Sequence, residues 1–193
     1  MIGEGRSAQE AVPLVPTNTV LVNRAPVMTL WAAIVAERLG YDRDTALTLG
    51  KAVAGLNAQS KGRRLGIYPE PAPEVASHKA RKPSRAAPKT VLLLDRAVPV
   101  VKTPDGLRAV VKGRAEDPAS VRRYLEQKFG DALPQAEAAM RTLAKAYPPE
   151  RLAEIAFSLY EEFRPEVPEG KKGWGAKGRL DLNRLRALAR STE

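Results

Sequence analysis

The stretch PVMTLWAAIVAERLGYDRDTALTLGKAVAGLNAQSKGRRLG, residues 26–66, decides the fold class, because it holds the densest apolar pattern of the chain, a sharp turn and a polar, basic exit. It reads as two packed helices. Val27, Leu30, Trp31, Ile34, Val35 and Leu39 recur at the three- and four-residue spacings of one helical face, and Ala32, Ala33 and Ala36 keep the other faces small. This first helix is expected to be buried nearly all round, with Trp31 as a core anchor. Pro26 suits a first turn, where a missing N–H leaves no orphan donor, and Gly40 is the residue type that ends helices in a left-handed conformation. Asp42 or Asp44 then caps a second helix by accepting from its free N–H groups. That helix carries Ala46, Leu49, Val53 and Leu56 on one side. Gly50 and Gly55 each cost about 1 kcal/mol against alanine in a helix interior, so they predict the close approach of another backbone or of a partner.

On either side of this pair the pattern is weaker. Residues 1–16 read as a loose arm, and TNTVLVN at 17–23 as a short strand or extended lead-in. From Gly66 to Thr90 there are five prolines and no apolar periodicity, which marks a linker or loop. VLLLDRAVPVVKTPDGLRAVVKG at 91–113 is the clearest β element, a hairpin turning at Thr103-Pro104-Asp105-Gly106. Pro99 favours an edge position, since it has no N–H for a ladder. Lys102, Arg108 and Lys112 lie along the hairpin as a charged edge or a basic wing.

After the cap and first-turn proline Asp117-Pro118, three apolar stripes follow with short connections. They are Val121, Tyr124, Leu125 and Phe129, then Ala136, Met140, Leu143 and Tyr147, then Leu152, Ile155, Ala156, Leu159, Tyr160 and Phe163. Asp181 caps a last helix, with Leu182, Leu185 and Leu188 inward and Arg184, Arg186 and Arg190 outside. The expected fold is mainly α with one β-hairpin (α+β): a helical hairpin, a basic linker, a hairpin, a three-helix antiparallel unit and a C-terminal helix. The domain reading is 1–66 for the helical hairpin region with its N-terminal arm, 67–90 for the basic Pro-rich linker or loop, and 91–193 for the β-hairpin plus helical domain. The last either stands apart or shares one core with 17–66.

The segment from about Val35 to Lys51 resembles the helix-turn-helix motif of DNA-binding proteins in Ala36, Gly40, Ala46 and Leu49, the small and apolar residues that set the turn and hold the second helix. The resemblance implies that Arg43, Thr45, Thr48 and Lys51 face a groove. It departs from the motif at Leu47 and Gly50, which would face the groove too.

Charge points the same way. The chain carries a net charge of +10, with eight basic and two acidic residues at 61–90 and seven against two at 170–193, while 117–169 is acidic. Two basic blocks suit a polyanion; a surface charge that only aids solubility is the plain alternative. The expected contacts are Arg43 and Lys51, then Asn57, Lys61, Arg63 and Arg64 at the helix exit, then Lys79, Arg81, Lys82 and Arg85 in the loop, chiefly on phosphates. Lys171, Lys172, Lys177 and Arg179 surround Trp174, which either stacks on bases or plugs an apolar pocket. The letters GWGAKG at 173–178 match the dinucleotide fingerprint, but no strand precedes them, so that site is rejected.

The absence of cysteine removes disulfides, thiolate nucleophiles and Cys-based metal sites. His78 is the sole histidine and sits in the linker, where a dyad or metal site has no support. No cofactor is expected, and an enzyme is the weakest class, with acid–base work by carboxylates and lysines left open. The reading is a non-enzymatic nucleic-acid-binding protein whose partner is DNA or RNA; the alternative is a structural or protein-interaction protein, in one version a homo-oligomer. No membrane role and a cytoplasmic location are expected, since no apolar run reaches the roughly 20 residues of a membrane span and MIGEGRSAQEAVPLVP lacks a signal pattern.

Overall fold

The computed structural model describes residues 18–64, 89–168, 170 and 176–192. In chain order these form β1 (Thr19–Val22), α1 (Arg24–Arg38), α2 (Arg43–Arg64), β2 (Lys89–Leu93), β3 (Arg96–Thr103), β4 (Gly106–Val111) and β5 (Arg114–Ala115). There follow α3 (Pro118–Phe129), a 3-10 turn (Gly130–Ala132), α4 (Leu133–Lys145), α5 (Pro149–Phe163), β6 (Gly178–Asp181) and α6 (Leu182–Arg190). The class is α+β, with helices and two small antiparallel sheets. The arm at 1–16 and residues 67–88 of the linker lie outside the described residues, and Lys89 and Thr90 already belong to β2.

Helix α1 is the hub. Every residue from Pro26 to Ala36 is buried, and α2, α3, α4 and α5 all pack against it. Trp31 is fully buried, donates from Nε1 to the Ala156 carbonyl at 2.9 Å, and meets Phe163 edge-on at 5.2 Å between ring centres. The indole is thus packed and hydrogen-bonded at once, which a buried tryptophan requires. Helix α1 ends in a Schellman motif: the Tyr41 N–H donates to the Ala36 carbonyl at 3.1 Å, the Gly40 N–H donates to the Glu37 carbonyl at 3.0 Å, and Gly40 sits at φ +108°. Asp42 is the cap of α2, accepting from the Thr45 N–H at 3.1 Å. Asp44 instead faces Arg122 of α3 at 3.2 Å.

The two helix glycines behave differently. A Cβ added to Gly50 would lie 2.3 Å from the Thr29 carbonyl oxygen and 2.9 Å from the Ala33 nitrogen, so this glycine lets α2 press backbone to backbone on α1. Gly55 has nothing within 4 Å of the same position and is exposed. Only the first needs to be a glycine.

Where one hairpin was expected, four strands form a meander in the order β2-β3-β4-β5. The expected turn is present, with Thr103 opposite Gly106 and Val100 opposite Ala109. Two further two-residue turns extend it. Leu94 and Asp95 take φ of 47° and 59°, and Lys112 and Gly113 take 51° and 77°, the left-handed values that tight hairpins need at both central positions. Leu94 has none of the residue chemistry that marks such a turn; its buried side chain holds it there. Pro99 is therefore not on an edge strand, because β3 lies between β2 and β4. It is tolerated because the β3–β4 pairing stops at Val100, one residue short of it.

The sheet is fastened to α2 by two threonines. Thr48 Oγ1 accepts from the Ala109 N–H at 3.0 Å, and Thr45 Oγ1 lies 2.8 Å from the Leu107 carbonyl. Strand β1 pairs antiparallel with β6, joining the first described segment to the one that leads into α6. Helices α3, α4 and α5 each pack on α1. Buried side chains from Val20 to Leu185 make one continuous cluster. No helix among the described residues is long and apolar enough to cross a membrane.

These contacts predict opposite outcomes for two matched substitutions. Gly50→Ala should destabilise the protein by about 2–3 kcal/mol or more through overpacking, whereas Gly55→Ala should stabilise it by about 0.5–1 kcal/mol through helix propensity. Urea denaturation of both variants reads the two signs directly.

Candidate nucleic-acid interface

The helix-turn-helix resemblance does not survive the packing. Thr45, Ala46, Leu47, Thr48, Leu49 and Gly50 are all buried, and the two threonine hydroxyls are engaged by β4 and Asp42. A recognition helix must show this turn to a groove. Here a sheet covers it.

Arg43 belongs to an ion-pair network. Its Nη1 lies 2.7 Å from Glu37 Oε1 and 2.9 Å from Glu137 Oε1, while Arg141 reaches Glu37 Oε2 at 2.8 Å and Glu137 Oε1 at 2.7 Å. Two arginines and two glutamates thereby join α1, α2 and α4. Burial raises the Glu37 pKa, but hydrogen bonds from Arg141 and Arg43, with their charges, outweigh it and hold this carboxyl below its ordinary range. Lys51 is half-buried with Nζ 3.6 Å from the Tyr124 ring centre, a cation–π contact. Burial pushes its pKa down, against the pull of Glu116. Asn57 accepts from Arg96 Nη2 at 3.1 Å, across to the first hairpin turn.

Arg108 does not join Lys102 and Lys112 in a basic wing. It is buried, and its guanidinium donates to the Leu107 carbonyl at 2.8 Å and the Asp105 carbonyl at 3.2 Å, clamping its own turn. Lys61, Arg63 and Arg64 lie on the last turns of α2, where only the backbone is described. Lys79, Arg81, Lys82, Arg85, Lys171, Lys172 and Trp174 lie outside the described residues. Lys177, just before β6, and Arg179, within it, are exposed, and Arg179 exchanges two backbone hydrogen bonds with Glu166. Gly178, from the rejected fingerprint, is pressed on Pro165, whose Cβ would stand 2.7 Å from an added methyl.

The structure does gather cations elsewhere. Lys145 and Thr142 of α4, Ala146 beyond it, and Arg186, Ala189 and Arg190 of α6 line one open cleft of about 400 Å³. Sequence reading places Arg186 and Arg190 outside α6 but has no reason to add Lys145, which stands in an acidic segment. The signal available was its position in the last turn of an amphipathic helix. Arg184, by contrast, is paired with Glu162 at 2.9 Å.

Protein-family models, curated proteins and solved structures offer no match to this chain. Among the described residues, no group of three or more histidines, aspartates or glutamates is placed to hold a metal ion.

The charged network has a pH signature. Because the folded-state pKa of Glu37 lies below the unfolded value near 4.5, its stabilisation is complete above that pH and is lost as pH falls through the lowered value. Glu37→Gln should lower stability by about 1–2 kcal/mol at neutral pH. Its gap from the parent should close on acidification below pH 4.5, in denaturation curves taken across the acid range.

Proposed function

We propose that this chain is a non-enzymatic nucleic-acid-binding protein that contacts phosphates through solvent-facing lysines and arginines. The observation that carries the reading is the cleft whose cations, Lys145, Arg186 and Arg190, have no carboxylate partner among the described residues. The sequence supplies the rest. A net charge of +10 with two basic blocks is an electrostatic footprint for a polyanion, and the carboxylates that could neutralise a surface are concentrated at 117–169. Arg43, tied up by two glutamates, and Asn57, tied up by Arg96, serve the fold in this reading. The loop cations Lys79, Arg81, Lys82 and Arg85 and the tail cations Lys171, Lys172 and Lys177 add phosphate contacts on sequence grounds, with Trp174 as the candidate stacking platform.

A second reading is favoured by one feature of the meander. Leu92 on β2 is 73% exposed and Val101 on β3 is 41% exposed, apolar surface of the kind that a protein partner covers. An interaction protein, self-associating in one version, would use that sheet. Sedimentation at high concentration checks it, and a strict monomer removes the self-association version.

The primary reading predicts tighter than micromolar binding near physiological salt in fluorescence-anisotropy titrations with duplex DNA, single-stranded DNA and RNA of equal length. The affinity should fall steeply with salt. Replacing Lys79, Arg81, Lys82 and Arg85 together by alanine should make the log–log salt slope shallower by about 3–4, at roughly 0.7–0.9 per lost phosphate contact. Unchanged affinity and slope would remove the loop from the interface, and weak binding with no preference among the three would remove the reading.

A further inference from the structure

We infer that the cleft between the last turns of α4 and α6 holds the terminal phosphate of a nucleic-acid strand, an inference that rests on the nucleic-acid reading above. Charge balance selects the end of a strand over its interior. Lys145, Arg186 and Arg190 bring three positive charges to the cleft, and its lining includes no carboxylate among the described residues. The last turns of α4 and α6 bring two helix C-termini to this region, each worth about half a negative charge, so among the described residues about two positive charges remain uncompensated. An internal phosphodiester carries one negative charge, but a terminal phosphomonoester carries close to two at neutral pH. The Coulomb attraction scales with that charge, so the dianion is the better match.

The donors are oriented for the task. Arg186 Nη1 donates to Asn18 Oδ1 at 3.0 Å and to Asn183 Oδ1 at 3.2 Å. This holds the guanidinium plane and leaves Nη2 and Nε without a partner among the described residues, as a fork for phosphate oxygens. Thr142 plays a different part. Its hydroxyl proton is given to the Ala138 carbonyl at 3.0 Å, so its oxygen is left to accept, which suits a sugar hydroxyl and not a phosphate. Ala146 and Ala189 are half-buried and small, providing an apolar side for the terminal sugar or base.

The test uses the full chain and one labelled single strand prepared with a 5′-phosphate, with a 3′-phosphate, or with hydroxyls at both ends. Charge-assisted contacts predict that one phosphorylated form binds about tenfold or more tighter than the hydroxyl form. Lys145→Ala with Arg190→Ala should erase that preference. Arg123→Ala with Arg151→Ala, which removes the same charge from exposed positions outside the cleft, should keep it. Equal binding of all three strands, with a steep salt dependence, would overturn the terminal-phosphate assignment and leave the broader reading standing. A preference that persists in the Lys145/Arg190 variant, or that disappears equally in the control, would overturn the assignment to this cleft. No binding of any strand would overturn both.

Discussion

The approach of α2 to α1 at Gly50 is the constraint on which the rest of the structure depends. With 2.3 Å between a hypothetical Cβ and the Thr29 carbonyl oxygen, no side chain fits at this crossing. Once α2 lies that close, one flank of α1 is sealed by backbone and small residues, and α3, α4 and α5 close the others. A helix buried on all sides can be almost wholly apolar, as α1 is from Val27 to Ala36 apart from Thr29, whose hydroxyl returns its proton to the Ala25 carbonyl at 2.9 Å. The same seating fixes the outer face of α2, where Thr45 and Thr48 receive β4. One missing methyl thus positions the meander as well as the helices.

Charge is sorted by this packing. Four arginines are matched by the fold: Arg43 and Arg141 by Glu37 and Glu137, Arg108 by backbone carbonyls, Arg24 by the Pro165 carbonyl at 3.0 Å. Such groups carry a desolvation penalty and cannot be spared for a ligand without leaving a partner unsatisfied. Lys145, Arg186 and Arg190 have no such obligation to a carboxylate among the described residues, and they stand at the surface where α4 and α6 meet. Arg186 nevertheless depends on the fold, because Asn18 and Asn183 set its orientation. Asn18 in turn accepts from the Leu182 N–H at 2.6 Å, just where β1 meets β6. The β1–β6 pair is therefore linked through Asn18 to the orientation of Arg186.

Much of this was legible in the sequence where local chemistry and periodicity agree. The α1 stripe, the Gly40 terminus, the Asp117 and Asp181 caps and the Thr103–Gly106 turn are all short-range signals, and each is found. What could not be read depends on long-range pairing. TNTVLVN at 17–23 is readable as a short strand or extended lead-in, and TVLV at 19–22 is a strand, but its partner GRLD at 178–181 carries no strand pattern of its own. Leu94-Asp95 turns because Leu94 is buried, a tertiary effect with no counterpart in turn composition. The helix-turn-helix resemblance rested on the small and apolar residues of a tight helical hairpin, which serve any such hairpin; the exposure of its second helix was the missing condition. The candidate site divides likewise, since Arg186 and Arg190 follow from the polar face of α6, whereas Lys145 joins them only through the packing of α6 on α4.

Amide hydrogen exchange of the full chain, with and without saturating single-stranded nucleic acid, tests the central claim most directly. The account predicts slowed exchange at residues 142–146 and 186–190, with α1 among the slowest-exchanging segments in both states. Exchange unchanged throughout the chain, or slowed only in the β2–β5 meander, would contradict it.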